Sequence, residues 1–351
     1  MDPPIPNKSA QDQMNSTCSF SDSSAEIFSK LFAFCFILLG SLFGNIFIII
    51  IVYKKRDLRK TINYFIVNMA CSDLVITLVV LPVEITRLMT DSTHWHVSGI
   101  LGSICCKLFY FAGSMSILVS SQSLVWIAVD RFVAVVFPTK LGLISSKIRT
   151  IAIVSTWMCA GFFSIPVLIS SKLVARGNGT VCGEENMESY LLNENSATVA
   201  YIWFQFTLFI IAPLGATTIL YTAIAITLEL RKKAIAGTPP NAQRNAMKKR
   251  RQAIKMAVAI VVLFYLCVFP HTLLYFIPHW RPSCAIQRVV YFVTSFSFYL
   301  STTVNPIICL SFVESYRRGL RNILCPCIRQ RNNAMVKREQ ISLKNIKSLM
   351  D

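Results

Sequence analysis

Asp130 and Arg131 stand side by side at the end of a long apolar stretch. A carboxylate beside a guanidinium can hold it as an ion pair and release it, which is switching chemistry rather than bond-making chemistry. Asp73 is an acid deep inside another apolar stretch. That placement costs about 2.5–3.5 kcal/mol on insertion scales, so the side chain has to face polar partners. Asn45, Ser120, Ser301 and Asn305 are available for this from other apolar segments. A third set, Glu84, Gln205, His271, Tyr275, Tyr291 and Tyr299, could line a mouth, although Glu84 or His271 taken singly is also met by helix packing. The chain shows no metal-ligand cluster, phosphate loop or nucleophile–base motif, so no catalytic residue is assigned and no enzyme is expected.

The elements that must position these residues are seven apolar stretches: Leu31–Tyr53, Tyr64–Leu88, Leu108–Phe137, Ile151–Ile169, Tyr201–Leu230, Met256–Ile277 and Val289–Phe312. About 20 helical residues cross a bilayer core of about 30 Å, and each stretch is near or above that length. Lipid offers the backbone no partners, so each should be a helix. The expected fold is all-α, a seven-helix membrane bundle. Composition agrees, with 54% hydrophobic and 15% charged residues and a mean hydropathy of +0.54. The expected division is a polar tail over residues 1–26, the bundle over 27–311, an amphipathic segment over 312–327 and a second tail over 328–351. The first 26 residues lack the apolar core of a cleavable signal, so the first span should serve as its own insertion signal.

The net charge of +18 does not mark a nucleic-acid binder, because of where it sits. Basic residues crowd the links after the odd-numbered spans, from Lys54 to Lys60, from Lys140 to Arg149, from Arg231 to Arg251, and from Arg317 to Arg321. The positive-inside rule assigns those links to the cytoplasm, where some can meet anionic lipid. The N-terminus is then extracellular and the C-terminus cytoplasmic. The sequons at Asn7, Asn15 and Asn178 all fall on the outer side and are expected to be glycosylated. Acidic residues gather on that side too, including Asp91, Glu184, Glu185, Glu188 and Glu194.

Of twelve cysteines, Cys35, Cys71, Cys159, Cys267 and Cys309 lie within spans and read as packing residues. Cys106 at the outer start of the third span can bridge Cys182 in the second outer loop, with adjacent Cys105 as the competing partner. Cys18 and Cys284 are left over outside and form a candidate second bridge. After the seventh span, Phe312, Tyr316, Leu320 and Leu324 recur at helical spacing opposite Glu314, Arg317, Arg318 and Arg321, as in an interfacial helix. Cys325 and Cys327 at its end are candidate palmitoylation sites.

The order of these features resembles the rhodopsin-like (class A) G-protein-coupled receptors from about Ile27 to Cys327. The motifs are Gly44-Asn45, Asn68-Met69-Ala70-Cys71-Ser72-Asp73, Cys106, Asp130-Arg131-Phe132, Trp157, Pro213 with Tyr221, Phe264 with Pro270, and Asn305-Pro306. The resemblance implies a plasma-membrane receptor whose sixth helix swings outward. Arg131 then leaves Asp130 for Tyr221, and Pro138 leads into the loop that meets a heterotrimeric G protein. Arrestin and a receptor kinase are implied as further partners. Pro213, Pro270 and Pro306 each remove a helical hydrogen bond and are the expected pivots. The cluster around Asp73 resembles an allosteric sodium pocket, while the residues alone also suit a water-filled network with no ion. No other metal or cofactor is expected.

Two departures from the pattern stand out. The usual sixth-span tryptophan is missing from Cys267-Val268-Phe269-Pro270, and the usual seventh-span tyrosine from Asn305-Pro306-Ile307-Ile308-Cys309. Gly113 replaces the acid of amine receptors and Tyr299 the lysine of opsins. The chain looks most like the neuropeptide receptors, and the acidic outer side favours a basic peptide with Glu84 as its deep counter-ion. The alternative is a membrane transporter or channel, against which stands the lack of an internal repeat.

Overall fold

The computed structural model describes residues 22–90, 94–138, 144–176, 179–184, 196–234, 241–274 and 284–324. Seven of its helices are long and apolar enough to cross a membrane. Helix α1 runs Ser24–Lys54. A 3-10 turn, Arg56–Leu58, leads to α2 over Thr61–Met89. Helix α3 is Gly99–Val136 and α4 is Ser146–Ser170. Strands β1 (Ser171–Arg176) and β2 (Gly179–Glu184) follow. Helix α5 covers 196–234, α6 is Asn241–Leu273, α7 is Cys284–Phe312 and the short α8 is Glu314–Leu324.

The helices extend beyond the apolar stretches because capping residues and small polar residues extend a helix without raising hydropathy. Helix α1 starts seven residues before Leu31. Its start is a capping box: Ser23 N–H donates to the Glu26 carboxylate at 2.8 Å, and Glu26 N–H donates to Ser23 Oγ at 3.3 Å. Asp22 just before it pairs with Lys30 at 2.5 Å and with Arg288 of α7 at 3.1 Å, tying the two helix starts together. Helix α3 begins at Gly99 rather than Leu108, through the mixed run Gly102-Ser103-Ile104-Cys105-Cys106-Lys107.

Helices α2 and α5 each contain one π-helical turn, Ile76–Val80 and Thr207–Ile211. Each lies just before a proline, Pro82 or Pro213, whose missing N–H breaks the α ladder there. In α2 the wide turn changes the direction of the residues beyond it, among them Glu84 and Arg87. Pro166, Pro270 and Pro306 sit inside helices that continue past them.

Helix α3 lies against α2, α4, α5 and α6, and α7 against α1, α2 and α6. Small polar side chains form much of the contact: Ser41, Ser72, Thr77, Ser121, Ser123, Thr156 and Ser164 are all fully buried. Such residues let backbones approach closely where lipid gives helices no hydrophobic reason to associate. Gly44 meets the Pro306 ring, and Gly319 of α8 meets Ile51; an added Cβ would lie 2.7 Å and 2.6 Å from those side chains. Helix α8 thus docks on α1, with Tyr316 buried and Leu324 largely exposed. Burial raises the Tyr316 phenol pKa, whereas hydrogen bonding from Arg318 lowers that of the exposed Glu314 carboxyl.

Strands β1 and β2 form an antiparallel hairpin, with Val174 opposite Val181 and Leu173 opposite Cys182. The Cys106–Cys182 disulfide fixes it to α3, with Cα atoms 5.6 Å apart, and Cys105 is a free thiol. The loop before α3 also joins it, through Trp95 N–H donating to the Thr180 carbonyl at 2.7 Å. The tail sequons Asn7 and Asn15, Asn178, Cys18, the side chain of Cys284, Tyr275, Cys325 and Cys327 lie outside the described residues.

Candidate ligand and coupling sites

Glu84 and Arg87 lie one helical turn apart on α2 and form an ion pair at 3.1 Å, with their side chains 11% and 18% exposed. The guanidinium also lies over two rings, Phe109 at 4.9 Å and Trp95 at 5.8 Å. Cation–π contact of this kind suits a partly desolvated arginine. Tyr110 and Tyr291 are close enough to the pair to feel its charge. The Tyr110 hydroxyl donates to the Cys182 carbonyl at 3.2 Å, so the hairpin roofs this group. His271 continues it across the bundle, 6.2 Å from the Tyr291 ring and 5.0 Å from Phe298. Tyr299 is buried beside them, edge-on to Phe34 at 5.7 Å.

The expected mouth is therefore only partly assembled as the sequence implied. Glu84, His271, Tyr291 and Tyr299 come together from α2, α6 and α7. Gln205 turns instead to α4, donating to the Phe163 carbonyl at 2.5 Å and to the Tyr201 hydroxyl. Arg87, Tyr110, Trp95 and Phe109 were not foreseen. The Glu-x-x-Arg spacing was the available signal for the pair, since residues three apart share a helix face. Its consequence is large: Glu84 is not an unpaired acid, because Arg87 balances its charge.

Midway along the bundle, Asn305 Nδ2 donates to the Asp73 carboxylate at 3.0 Å. The other expected partners join less directly. Ser120 shares a hydrogen bond with Ser72 at 2.8 Å. Ser301 donates to the Phe298 carbonyl at 2.6 Å. Asn45 donates to the carbonyls of Ser41 at 2.9 Å and Thr302 at 3.0 Å. Ser41, Thr77 and Thr302 complete the network: Thr77 donates to the Asp73 carbonyl at 2.7 Å and lies 2.6 Å from Ser41 Oγ. Nearby, Asn68 links α2 to α3 and α4, donating to Ser123 at 2.9 Å and accepting from Trp157 at 2.8 Å.

At the far end of α3, Arg131 grips its neighbour. Its Nε donates to Asp130 Oδ2 at 3.0 Å and one terminal nitrogen bonds the same oxygen. Tyr221 on α5 lies near the pair, yet its buried hydroxyl has no hydrogen-bond partner among the described residues. Pro138 lies two residues beyond the end of α3. Arg231 of α5 donates to the Val136 carbonyl at 3.3 Å, bracing the same corner. Arg131 is thus clasped by Asp130, with the Tyr221 phenol beside it.

Seven spanning helices, a hairpin held by a disulfide at one end of α3 and an Asp-Arg pair at its other end match one architecture. The profile of the 7 transmembrane receptor (rhodopsin family) matches residues 44–308. The chain belongs to the rhodopsin family of seven-transmembrane receptors. Among similar proteins is a QRFP-like peptide receptor of Branchiostoma floridae, 30% identical over 247 residues, which are 67% of this chain and 60% of that protein. A RYamide receptor of Tribolium castaneum is 25% identical over 313 residues, 87% of this chain and 82% of that protein. Neuropeptide Y receptor type 1 of Xenopus laevis is 26% identical over 302 residues, 84% of this chain and 80% of that protein. A receptor of this family is a multi-pass membrane protein, and nothing in these matches supports a transporter or channel.

Proposed function

We propose that the chain is a plasma-membrane receptor that binds an extracellular peptide and activates a heterotrimeric G protein, catalysing nothing itself. The observation that carries this is the pairing of two prepared ends on one helix bundle. A polar and aromatic group from α2, α3, α6 and α7 lies under a disulfide-held hairpin, and a clasped Asp130–Arg131 pair lies at the opposite end of α3. The names of the relatives, all receptors for peptides, support the ligand class. The basic links support a cytoplasmic C-terminus and an extracellular N-terminus. Arrestin and a receptor kinase would then share the inner face with the G protein, and anionic lipid its basic rim.

The mechanism follows from the charges. A peptide seated against Arg87, Tyr110, Tyr291 and His271 touches α2, α3, α6 and α7 at once, so it favours whichever helix arrangement it contacts best. If α6 moves outward at the inner end, Arg131 can leave Asp130 for the Tyr221 hydroxyl, opening a surface bounded by Pro138 and Arg231. The near-neutral Glu84–Arg87 pair does not by itself single out a basic peptide. The acids of the second outer loop would attract one on approach, acting on arrival more than on final affinity.

The cluster at Asp73 offers oxygen donors of the type a hard cation takes: a carboxylate, hydroxyls and the buried Asn45 Oδ1, which has no hydrogen-bond partner among the described residues. Asp73, Ser120 and Asn305 would hold a sodium ion, whose charge would offset that of the buried acid and favour the arrangement in which it binds. The test of the whole reading is nucleotide exchange on purified G proteins with the receptor in vesicles, screened against a library of peptides. Exchange that no peptide stimulates, alongside a response to a lipid or an amine, would overturn the peptide assignment.

A further inference from the structure

The hydrogen-bond ladder of α5 has a gap that α3 fills. Phe209 lies in the wide turn, just before Pro213, which has no N–H and interrupts the α-helical ladder there. Phe209 is buried, and a buried carbonyl with no donor is unfavourable. Ser121 supplies the donor, its Oγ lying 2.5 Å from that carbonyl oxygen. The phenol oxygen of Tyr265, on α6, is 3.3 Å from the same Oγ. A serine hydroxyl carries one hydrogen and a backbone carbonyl carries none. Ser121 must therefore spend its hydrogen on Phe209, and Tyr265 must donate to Ser121. The result is a directed chain, Tyr265 O–H to Ser121 O–H to Phe209 C=O, running from α6 through α3 to α5. All three residues are buried, and Ser121 is fully so.

The geometry points to this chain as the positioning element for the sixth helix: it holds α6 to α3 and α5 in the resting receptor and opens when α6 swings outward. The inference rests on the receptor reading and adds the residues that set its resting bias. Val268, one turn beyond Tyr265, occupies the place where the family usually carries a tryptophan. It is buried, has no polar atom and has one favoured rotamer in a helix, so it cannot act as a rotamer switch. Tyr265 does carry a polar atom, and its ring is set by Phe264, edge-on at 5.4 Å. Outward motion of α6 would carry the phenol from its acceptor while Ser121 stays with Phe209. The cost falls on one bond between α6 and α3, and the α5 ladder remains satisfied.

The test uses full-length receptor in lipid nanodiscs without ligand. A fluorine probe on Arg251→Cys, at the exposed inner end of α6, reports inward and outward populations against the same protein lacking that cysteine. Tyr265→Phe should raise the outward population roughly two- to tenfold, the range expected for one net hydrogen bond. Ser121→Ala should do the same, and the double variant should add little to the larger single effect. Tyr265→Phe keeps the ring, so the inference stands or falls on it if Ser121→Ala does not fold. A lowered melting temperature with unchanged populations would make the bond mere packing and overturn the inference, as would fully additive shifts. If populations shift while no peptide stimulates exchange, the relay stands and the proposed ligand class fails.

Discussion

The Glu84–Arg87 pair makes the sharpest prediction, because both partners have few alternatives. Glu84→Gln leaves the guanidinium on two aromatic faces without its counter-ion. Arg87→Gln leaves a carboxylate 11% exposed without a cation. Breaking a buried pair costs about 3–5 kcal/mol, and the residual exposure of both side chains reduces that to roughly 2–3 kcal/mol for either single change. Removing both charges leaves neither stranded, so Glu84→Gln with Arg87→Gln should recover about half of the summed single losses, a coupling of about 2–3 kcal/mol. Thermal unfolding of the four proteins in matched nanodiscs gives the cycle. Additive single losses, or losses under about 0.5 kcal/mol, would show that the pair is solvated and would refute the reasoning. The same variants report on the ligand. Glu84→Gln leaves Arg87 uncompensated, so it should weaken a basic peptide modestly more than its neutralised analogue. A much larger loss for the basic peptide would mean that its cation displaces Arg87 from Glu84.

Other consequences follow from single contacts. Peptide mapping without reduction should find Cys106 joined to Cys182 and Cys105 free, and a Cys105–Cys182 product would contradict the structure. Arg131→Ala should leave surface expression and ligand binding near normal and abolish nucleotide exchange; exchange persisting at matched expression would remove Arg131 from coupling. Gly44→Ala places a methyl 2.7 Å from the Pro306 ring and should cost about 1–3 kcal/mol by overpacking, read as a lower melting temperature. If sodium binds at Asp73, sodium chloride should stabilise the receptor more than choline chloride does, and Asp73→Asn should erase the difference. An equal response to both salts would leave a water network there.

The spans, their order and the place of the Asp-Arg pair could be read from the sequence, because lipid permits few solutions. An apolar run of about 20 residues has to close its hydrogen bonds on itself, and that requirement needs no neighbour. Hydropathy fixed the middles of the helices and missed their ends. Ser23 with Glu26 begins α1 by capping, and Gly99 to Lys107 extends α3 through residues that are not strongly apolar. The cysteine that pairs with Cys182 was narrowed to two adjacent residues. The fold chose between them, since neighbours on a helix point about 100° apart and Cys106 is the one that faces the hairpin.

The sites divide along the same line. Which polar residues lie in apolar segments is a property of the sequence, so Asp73, Glu84, Tyr221 and Asn305 could be named from it. What each one touches depends on helix rotation, and two π turns set that rotation in α2 and α5. Past the first, Arg87 lies on Glu84, so an expected lone acid is a neutral pair. In α5, Gln205 faces α4 rather than the mouth, and the Phe209 carbonyl takes its hydrogen from Ser121. A residue's depth in a membrane can be read from its place in the apolar run, because the bilayer imposes it along one axis. Its direction around the helix, and the partner it finds there, is decided only when the helices pack.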